Sequence, residues 1–145
     1  MYITRYTDYS LRVLMYVAMK GEEQTTIREI ADSYGISKNH LMKVVQQLNN
    51  NGYVIALRGK NGGLRLNGDA RDINVGTLVR KTEQDLALVD CFAGGSGCVI
   101  TPACQLKRIF SEALEAFFAV LDNYTLADLL PAQQQPELVR LLQIN

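Results

Sequence analysis

The spacing of apolar positions predicts three helices in the first third of the chain. The first extends from about residue 7 to residue 20. The second begins after Thr25 or Thr26 and ends at Gly35, and the third follows Ser37, whose hydroxyl is typical of an N-cap. The apolar residues that define the three inner faces are Leu11, Val13, Leu14, Val17 and Ala18, then Ile27, Ile30 and Ala31, then Leu41, Val44, Val45 and Leu48.

A short β-hairpin is predicted to follow the third helix. Residues 53–57 and 64–66 form two apolar segments, and the glycine-rich, basic sequence Gly59-Lys60-Asn61-Gly62-Gly63 separates them. Asn74 is then predicted to cap a short helix that runs to about Lys81.

The second half of the chain predicts a loop and one long helix. Residues 83–100 lack a sustained period, whereas Thr101-Pro102 combines a capping hydroxyl with proline at the first helical position. A wide apolar stripe continues this helix to about Asn123, so we expect Cys104 in its first turn. Thr125 is predicted to cap a last short helix, and the remaining tail has no clear pattern. The fold class is therefore mainly α with a small β-hairpin.

All three cysteines, Cys91, Cys98 and Cys104, fall within fourteen consecutive residues. The glycine-rich stretch between the first two gives the backbone the freedom to fold around something small. Three soft thiolate donors on one loop favour a metal or a cluster, and zinc or an iron–sulfur cluster usually takes four protein ligands, so one ligand is missing. Two alternatives remain open: the cysteines are small buried hydrophobic residues, or two of them form a disulfide and leave a spare thiol.

Composition indicates a folded chain of modest size. Its 145 residues and 48% hydrophobic content fit one domain, or a small domain with an appended helix. No apolar run approaches the roughly 18 residues of a membrane span, and the N-terminus lacks the layout of a signal peptide, so we expect a cytoplasmic protein. In that reducing compartment a disulfide is disfavoured, and clustered cysteines indicate a metal or redox role.

Charge is sorted along the chain, although the net charge is zero. Residues 1–68 contain nine basic and five acidic side chains, a net +4, and residues 69–145 contain six and ten, a net −4. Residues 34–68 carry five basic side chains and no carboxylate, so this window is where a polyanion would bind. A solvated basic face is the simpler explanation of the same charge run.

Residues 26–41 have the pattern of a helix-turn-helix. Ala31 is small where the two helices must approach, Gly35 permits the turn, and Leu41 helps to fill the space between the helices. The second helix offers donors suited to base edges and phosphates in a major groove, and the hairpin makes the unit a winged variant whose tip reaches the DNA backbone or the minor groove. The residues predicted to contact or position DNA are Thr26, Ser37, Lys38, Asn39, His40, Lys43, Arg58, Lys60, Asn61 and Gly62.

Some of these residues have simpler explanations, since His40 could merely cap or pack and Lys43 could merely be solvated. Winged helix-turn-helix proteins usually read pseudo-palindromic operators as two-fold dimers. The long helix supplies an interface, because a stripe with adjacent Phe117 and Phe118 is more than one small domain needs to bury.

The combination of these features resembles the Rrf2 family of transcriptional regulators. The resemblance rests on the winged helix-turn-helix, the wing sequence Arg58-Gly59-Lys60-Asn61-Gly62-Gly63, the three cysteines before a long helix, and residues 121–129 after it. It covers nearly the whole chain, from Thr7 to Leu130. Within the family, the chain is most similar to the nitric-oxide-sensing repressors.

The resemblance also implies an identity for the fourth ligand. Family members that sense iron–sulfur status have a histidine three residues after the third cysteine, where this chain has Lys107. In the nitric-oxide sensors the ligand is an aspartate near the N-terminus, donated by the partner subunit, and Asp8 in Thr7-Asp8-Tyr9 matches it. Arg12, one helical turn later, would support that carboxylate through an i,i+4 pair. Without the resemblance, Asp8 would be explained as a helix-start aspartate favoured by the helix dipole.

The function implied by the resemblance is a homodimeric repressor that binds operator DNA while its iron–sulfur cluster is intact and releases it when nitric oxide nitrosylates the cluster. The implied cofactor is a four-iron cluster (4Fe–4S), with a two-iron cluster (2Fe–2S) as the alternative. Six residues separate Cys91 from Cys98 where five are usual in the family, a difference that the glycine-rich loop can absorb. The expected divisions are a DNA-binding domain (1–82), a cysteine-rich cluster-binding loop (83–104), a dimerisation helix (101–124), and a short C-terminal helix with its tail (125–145).

Two other classes of function are the alternatives to this one. A winged-helix regulator without iron could use the three cysteines as a thiol switch or as a zinc site. An enzyme is not supported, because the chain has no metal-hydrolase motif and no phosphate loop, and its single histidine lies in the DNA-reading segment.

Overall fold

The computed structural model describes residues 1–94 and 97–145, which form six α-helices and a two-stranded antiparallel sheet. The helices are α1 (Arg5–Lys20), α2 (Ile27–Tyr34), α3 (Lys38–Asn50), α4 (Val75–Thr82), α5 (Leu106–Leu121) and α6 (Gln135–Leu141). Strands β1 (Val54–Leu57) and β2 (Gly63–Leu66) pair with Val54 opposite Leu66. The predicted fold class, mainly α with one hairpin, is confirmed.

The capping and turn residues of the helix-turn-helix lie where the sequence predicts them. The Thr26 hydroxyl accepts a hydrogen bond from the Glu29 N–H at 3.1 Å and caps α2. Gly35 ends α2 in the left-handed conformation, with φ 66° and ψ 36°, which glycine adopts without steric cost. Ser37 then caps α3 by accepting from the His40 N–H at 3.4 Å.

One main core joins the first three helices to the hairpin and to α4. The predicted inner faces of α1 to α3 are buried except for the partly buried Leu11, Ala18 and Ile27. The hairpin and α4 add Val54, Leu64 and Leu78 to this core. The hairpin is also bonded to Thr25, the residue before the N-cap of α2, because the Leu64 N–H donates to the Thr25 carbonyl at 2.6 Å and the Thr25 N–H donates back at 3.0 Å. These bonds fix the wing relative to the helix-turn-helix.

The start of the long helix differs from the prediction. Residues Thr101–Ala103 form a 3₁₀ turn, Cys104 is extended (φ −79°, ψ 122°), and α5 begins only at Leu106. Thr101 does not cap a helix, because its hydroxyl donates to the Cys98 carbonyl at 2.8 Å. The expectation that Cys104 lies in the first turn of the helix is therefore wrong. Residues 95 and 96, part of the glycine-rich stretch predicted to be pliable, lie outside the described residues.

The C-terminal tail contains a helix that the sequence pattern did not predict. In α6, Pro136 lies in the first turn, where its missing N–H leaves no helix bond unmade. Leu142 is buried beyond the helix, and Ile144 packs against the main core. The predicted short element after Thr125 is the 3₁₀ helix Leu126–Leu129, with a capping box between Thr125 and Asp128. No helix among the described residues has the length and hydrophobicity needed to cross a membrane.

Candidate nucleic-acid interface and cysteine loop

The exposed face of α3 carries three of the predicted DNA-contacting residues. Lys38, Asn39 and Lys43 are exposed, whereas Leu41 and Val44 of the same helix are buried in the core. The capped N-terminal end of α3 therefore presents two cations and an amide to solvent. Such a surface is suited to phosphates and base edges.

The wing adds a second basic surface. Arg58, Lys60 and Asn61 are exposed between the two strands. A Cβ on Gly62 would overlap the Leu57 carbonyl oxygen, so the tight turn of the tip requires glycine at this position. The start of the wing is bonded to α3, because the Ala56 N–H donates to Asn49 Oδ1 at 3.1 Å. The wing and the recognition helix are thus held as one unit.

Asp8 and Arg12 form the i,i+4 pair predicted on α1. Arg12 Nε donates to Asp8 Oδ1 at 3.2 Å, and the second guanidinium contact, to Oδ2, measures 2.8 Å. Both side chains are about two-fifths exposed, at 41% for Arg12 and 44% for Asp8. The carboxylate is therefore held in place and still accessible. Its role as a metal ligand stays a prediction.

Arg12 also contacts two tyrosine rings, a feature that the sequence did not indicate. Its guanidinium carbon lies 5.6 Å from the ring centroid of Tyr9 and 5.8 Å from that of Tyr34. The Tyr34 hydroxyl donates to the Arg12 carbonyl at 3.1 Å, which joins α2 to α1. Burial raises the pKa of Tyr34 to about 12, against the opposing effect of the nearby Arg12 charge, so this hydroxyl remains a donor at neutral pH.

His40, predicted to contact DNA, is half-buried and packs against α1. Its ring centroid lies 4.8 Å from that of Tyr9, with an angle of 68° between the ring planes. This edge-to-face arrangement is a favoured geometry for two aromatic rings. The DNA-contacting role of His40 stays a prediction, and its packing against Tyr9 is a second property of the same residue.

The three cysteines have free thiols and differ in exposure. Cys98 is exposed, whereas Cys91, in the 3₁₀ turn Asp90–Ala93, and Cys104 are half-buried. In the described part of the chain, no three or more histidine, cysteine or carboxylate side chains are grouped closely enough to hold a metal ion. The predicted ligand set of Cys91, Cys98, Cys104 and Asp8 therefore stays a prediction.

The cysteine loop begins at a junction with α1. The Thr4 N–H donates to Glu83 Oε1 at 2.8 Å, and the Thr4 hydroxyl donates to the same oxygen at 3.0 Å. Beneath this contact, the buried Thr7 hydroxyl donates to the buried Thr82 hydroxyl at 2.8 Å. The first residue of the loop is thus bonded to the end of the helix that carries Asp8. The bonded partners lie 79 and 75 residues apart in the sequence, and no periodic signal marks them.

The long helix α5 leaves an apolar face uncovered. Leu106, Ile109, Phe117 and Val120 are exposed. Phe118, which the sequence grouped with Phe117, is instead buried against Val75 and Val79 of α4. One of the two adjacent phenylalanines therefore belongs to the protomer's own packing, and the other lies on the uncovered face.

The chain is similar to known regulators over nearly its whole length. Residues 3–132 match the Rrf2 family, described as an iron-dependent transcriptional regulator. The HTH-type transcriptional regulator NsrR of Bacillus subtilis (strain 168) is 50% identical over 147 aligned positions, which cover 100% of this chain and 99% of that protein. The protein of the same name from Geobacillus kaustophilus (strain HTA426) is 51% identical over 132 positions, which cover 90% of each chain.

Solved structures with the same fold include CymR (YrzC), the global cysteine regulator of B. subtilis. It superposes with a TM-score of 0.72 at 29% identity and covers 89% of this chain and 95% of its own. T. potens IscR superposes with a TM-score of 0.72 at 25% identity, over 94% of this chain and 91% of its own.

Proposed function

The chain belongs to the Rrf2 family of transcriptional regulators and is not an enzyme, and from this we propose that it is a homodimeric repressor that senses nitric oxide through an iron–sulfur cluster. The observation that carries the proposal is the junction between α1 and the start of the cysteine loop. A loop with three free cysteines starts at Glu83, which is bonded to the helix that begins the DNA-reading unit. A change in the loop can therefore reach that unit through direct contacts.

DNA binding is assigned to α3 and the wing. We infer that Lys38, Asn39 and Lys43 face base edges and phosphates in the major groove, and that Arg58 and Lys60 contact the backbone or the minor groove. The basic charge of residues 34–68 and the absence of carboxylates from that segment support this assignment. Asn61 would join Arg58 and Lys60 in these contacts, and Thr26, Ser37 and Gly62 would position the contacting residues.

Dimerisation is assigned to the uncovered apolar face of α5. A face with four exposed large apolar residues on one helix is disfavoured in water and is suited to a second copy of the same helix. A two-fold dimer would place two α3 helices about one helical turn of DNA apart, which fits a pseudo-palindromic operator.

The donor set fits an iron–sulfur cluster in its chemistry. Cys91, Cys98 and Cys104 are reduced thiols on one loop, and soft thiolates are the ligands such clusters take. Asp8 of the partner subunit would be the fourth ligand, a harder and weaker one than thiolate. We prefer a four-iron cluster, with a two-iron cluster as the alternative. The bound cluster would supply iron that reacts with nitric oxide.

The residues around Asp8 provide a path from the ligand to the DNA-reading unit. Arg12 holds the Asp8 carboxylate through two contacts when this carboxylate is not bound to a cluster. Because Asp8 is on α1 and α1 packs directly on α3, a change in its partner alters a helix that supports the recognition surface. Such a change shifts DNA affinity only if the free-energy difference between the two states of Asp8 is not the same in DNA-bound protein as in DNA-free protein.

The test is anaerobic purification followed by iron and sulfide analysis, absorption and mass spectrometry, before and after nitric oxide. Operator binding is measured on the same samples. We expect a coloured protein with bound iron and sulfide that binds operator DNA, and, after nitric oxide, a changed absorption spectrum together with loss of operator binding. A colourless protein with stoichiometric zinc would overturn the cluster and support a zinc or thiol-switch regulator.

The role of Asp8 is tested separately with Asp8→Ala. We expect an altered cluster spectrum and a changed response to nitric oxide. The matched control is Asp32→Ala, because Asp32 is an exposed carboxylate on α2 that forms no ion pair in the described part of the chain. If Asp8→Ala behaves like this control, Asp8 is not a ligand.

A further inference from the structure

The contact between Tyr9 and His40 joins the helix that carries Asp8 to the helix assigned to DNA reading. Tyr9 follows Asp8 directly on α1, and His40 is in the first turn of α3, next to the exposed Lys38 and Asn39. The two rings meet edge to face with their centroids 4.8 Å apart. The backbone at this end of α3 is fixed by the Ser37 cap, so the imidazole side chain is the part that Tyr9 can orient.

Arg12 connects this ring pair to the Asp8 carboxylate. Its guanidinium bonds both Asp8 oxygens and lies within 6 Å of the centroid of Tyr9, at 5.6 Å. It also lies 5.8 Å from the ring of Tyr34, whose hydroxyl is bonded to the Arg12 carbonyl. Because a cation is attracted to the face of an aromatic ring, the guanidinium is shared between the carboxylate and the rings. If Asp8 is withdrawn, Arg12 loses its anionic partner, and the two rings are the side-chain contacts that remain for its guanidinium.

We propose that Tyr9 is a positioning residue that orients His40 in the recognition helix according to whether Asp8 is held by Arg12. The proposal deepens the proposed function. It rests on that function in one respect, namely that Asp8 exchanges Arg12 for the cluster when the cluster binds. The contacts that lead from Asp8 through Arg12 and Tyr9 to His40 all lie within one chain, so they can be tested on iron-free protein.

The test uses the fact that His40 is the chain's only histidine. Its two imidazole C–H protons therefore give a single pair of NMR resonances, displaced by the ring current of Tyr9. We expect Tyr9→Leu to move this pair towards the positions of free histidine and Tyr9→Phe, which keeps the ring, to leave it nearly in place. We expect Asp8→Asn to move the pair in the native background and to have no further effect in Tyr9→Leu.

Two control variants keep the result interpretable. Asp32→Asn, at an exposed carboxylate of α2, is expected to leave the resonances unchanged. Arg12→Gln keeps Tyr9 and removes the ionic link, so Asp8→Asn should have no further effect in that background, even if Tyr9→Leu fails to fold. Equal displacement by Asp8→Asn in the native, Tyr9→Leu and Arg12→Gln backgrounds would overturn the proposal, as would no displacement in the native background.

Operator affinity gives the functional measurement. We expect the ratio of affinities between iron-loaded and iron-free protein to fall about fivefold or more in Tyr9→Leu and to be restored in Tyr9→Phe. An unchanged ratio in Tyr9→Leu would overturn the proposal. If native protein itself shows no difference between the two forms, the proposed sensing function fails, and the histidine resonances still decide whether Tyr9 transmits the state of Asp8.

Discussion

Arg80 donates two hydrogen bonds to Asp122, at 2.6 Å to Oδ1 and 2.9 Å to Oδ2, and so joins α4 to the residue that ends α5. The guanidinium of Arg80 also lies over the ring of Phe118, 4.3 Å from its centroid. A third bond, from Asn74 Nδ2 to the Asp122 carbonyl at 2.8 Å, completes the junction. Because Thr82, in the last turn of α4, is also bonded to Thr7 of α1, this junction fixes the apolar helix relative to the DNA-reading unit.

The Arg80–Asp122 pair predicts a specific loss of stability in acid. Hydrogen bonds from Arg80 hold the pKa of Asp122 below its usual range. A folded-state pKa below the unfolded value of about 3.9 stabilises the protein above that pH, and the contribution is lost as the pH falls through the folded pKa. We therefore expect the melting temperature of native protein to fall more steeply below about pH 4 than that of Asp122→Asn.

Thermal melts at intervals from about pH 6 to pH 2 measure this difference. Asp69, whose pKa Arg71 lowers to about 2, is unchanged in both proteins, so its contribution cancels in the comparison. Asp32→Asn serves as the matched control and should follow the native curve. Parallel curves for native protein and Asp122→Asn would show that the pair contributes nothing to the pH dependence.

Gly76 is required at the same junction. A Cβ at this position would overlap Asp122 Oδ1 and lie 3.0 Å from the Asp122 backbone nitrogen. We expect Gly76→Ala to lower the free energy of unfolding, because overpacking costs about 1–3 kcal/mol and the gain in helix propensity is about 1 kcal/mol. Denaturant unfolding measures the change, and Thr77→Ala, at an exposed position of α4, is the helix control.

A double variant locates the cause of the Gly76 effect. In an Asp122→Ala background the overlapping oxygen is absent, so Gly76→Ala should cost less there than in native protein. Equal costs in the two backgrounds would mean that the strain lies elsewhere in α4.

The buried hydroxyl pair of Thr7 and Thr82 predicts an asymmetric response to substitution. Thr82 also donates to the Leu78 carbonyl at 3.0 Å, so its hydroxyl keeps a partner in Thr7→Val. In Thr82→Val the Thr7 hydroxyl loses its 2.8 Å acceptor and keeps only the longer contact to the Thr4 hydroxyl at 3.3 Å, and a poorly satisfied buried group costs up to about 1–3 kcal/mol. We expect Thr82→Val to lower the free energy of unfolding more than Thr7→Val does.

Denaturant unfolding of both single variants and of Thr7→Val/Thr82→Val completes the cycle. The double variant should be less destabilised than the sum of the two singles, because replacing both partners leaves no unpaired hydroxyl. Strict additivity would show that the two hydroxyls do not interact.

The helix-turn-helix could be predicted from the sequence because its signals are local. Thr26 and Ser37 cap the helices that follow them, and Gly35 supplies the left-handed residue between those helices. The sequence places the start of α5 too early because the local signal at this point is ambiguous. Thr101-Pro102 fits a 3₁₀ turn as well as an α-helix, and the bond from Thr101 to the Cys98 carbonyl decides between them.

Contacts between residues that are distant in the sequence have no local sequence signal. The Asp8–Arg12 pair was predicted because i,i+4 spacing on a helix requires only the helix. The contacts of Tyr9 with His40 and of Thr4 with Glu83 depend on how helices pack, which apolar periodicity does not specify. Helix α6 is seven residues long, too short for a periodic pattern to distinguish it from a loop, and the core contact of Ile144 beyond it helps to hold it in place.

The wing predicts how operator affinity depends on salt. Each phosphate contact made by a cation releases condensed counterions, so the slope of log K against log salt concentration is about −0.9 per contact. Arg58 and Lys60 are exposed at the tip of a wing that is bonded to α3 and to the start of α2. We expect Arg58→Gln and Lys60→Gln each to reduce the magnitude of the slope by about 1 and to weaken binding to all sequences alike.

Fluorescence anisotropy on an operator obtained by in vitro selection, and on a scrambled duplex, measures both effects between about 50 and 200 mM salt. Lys107→Gln, at an exposed cation of α5, is the matched control and should leave the slope unchanged. A native slope in both wing variants would remove the wing from the DNA interface and leave α3 as the reading surface.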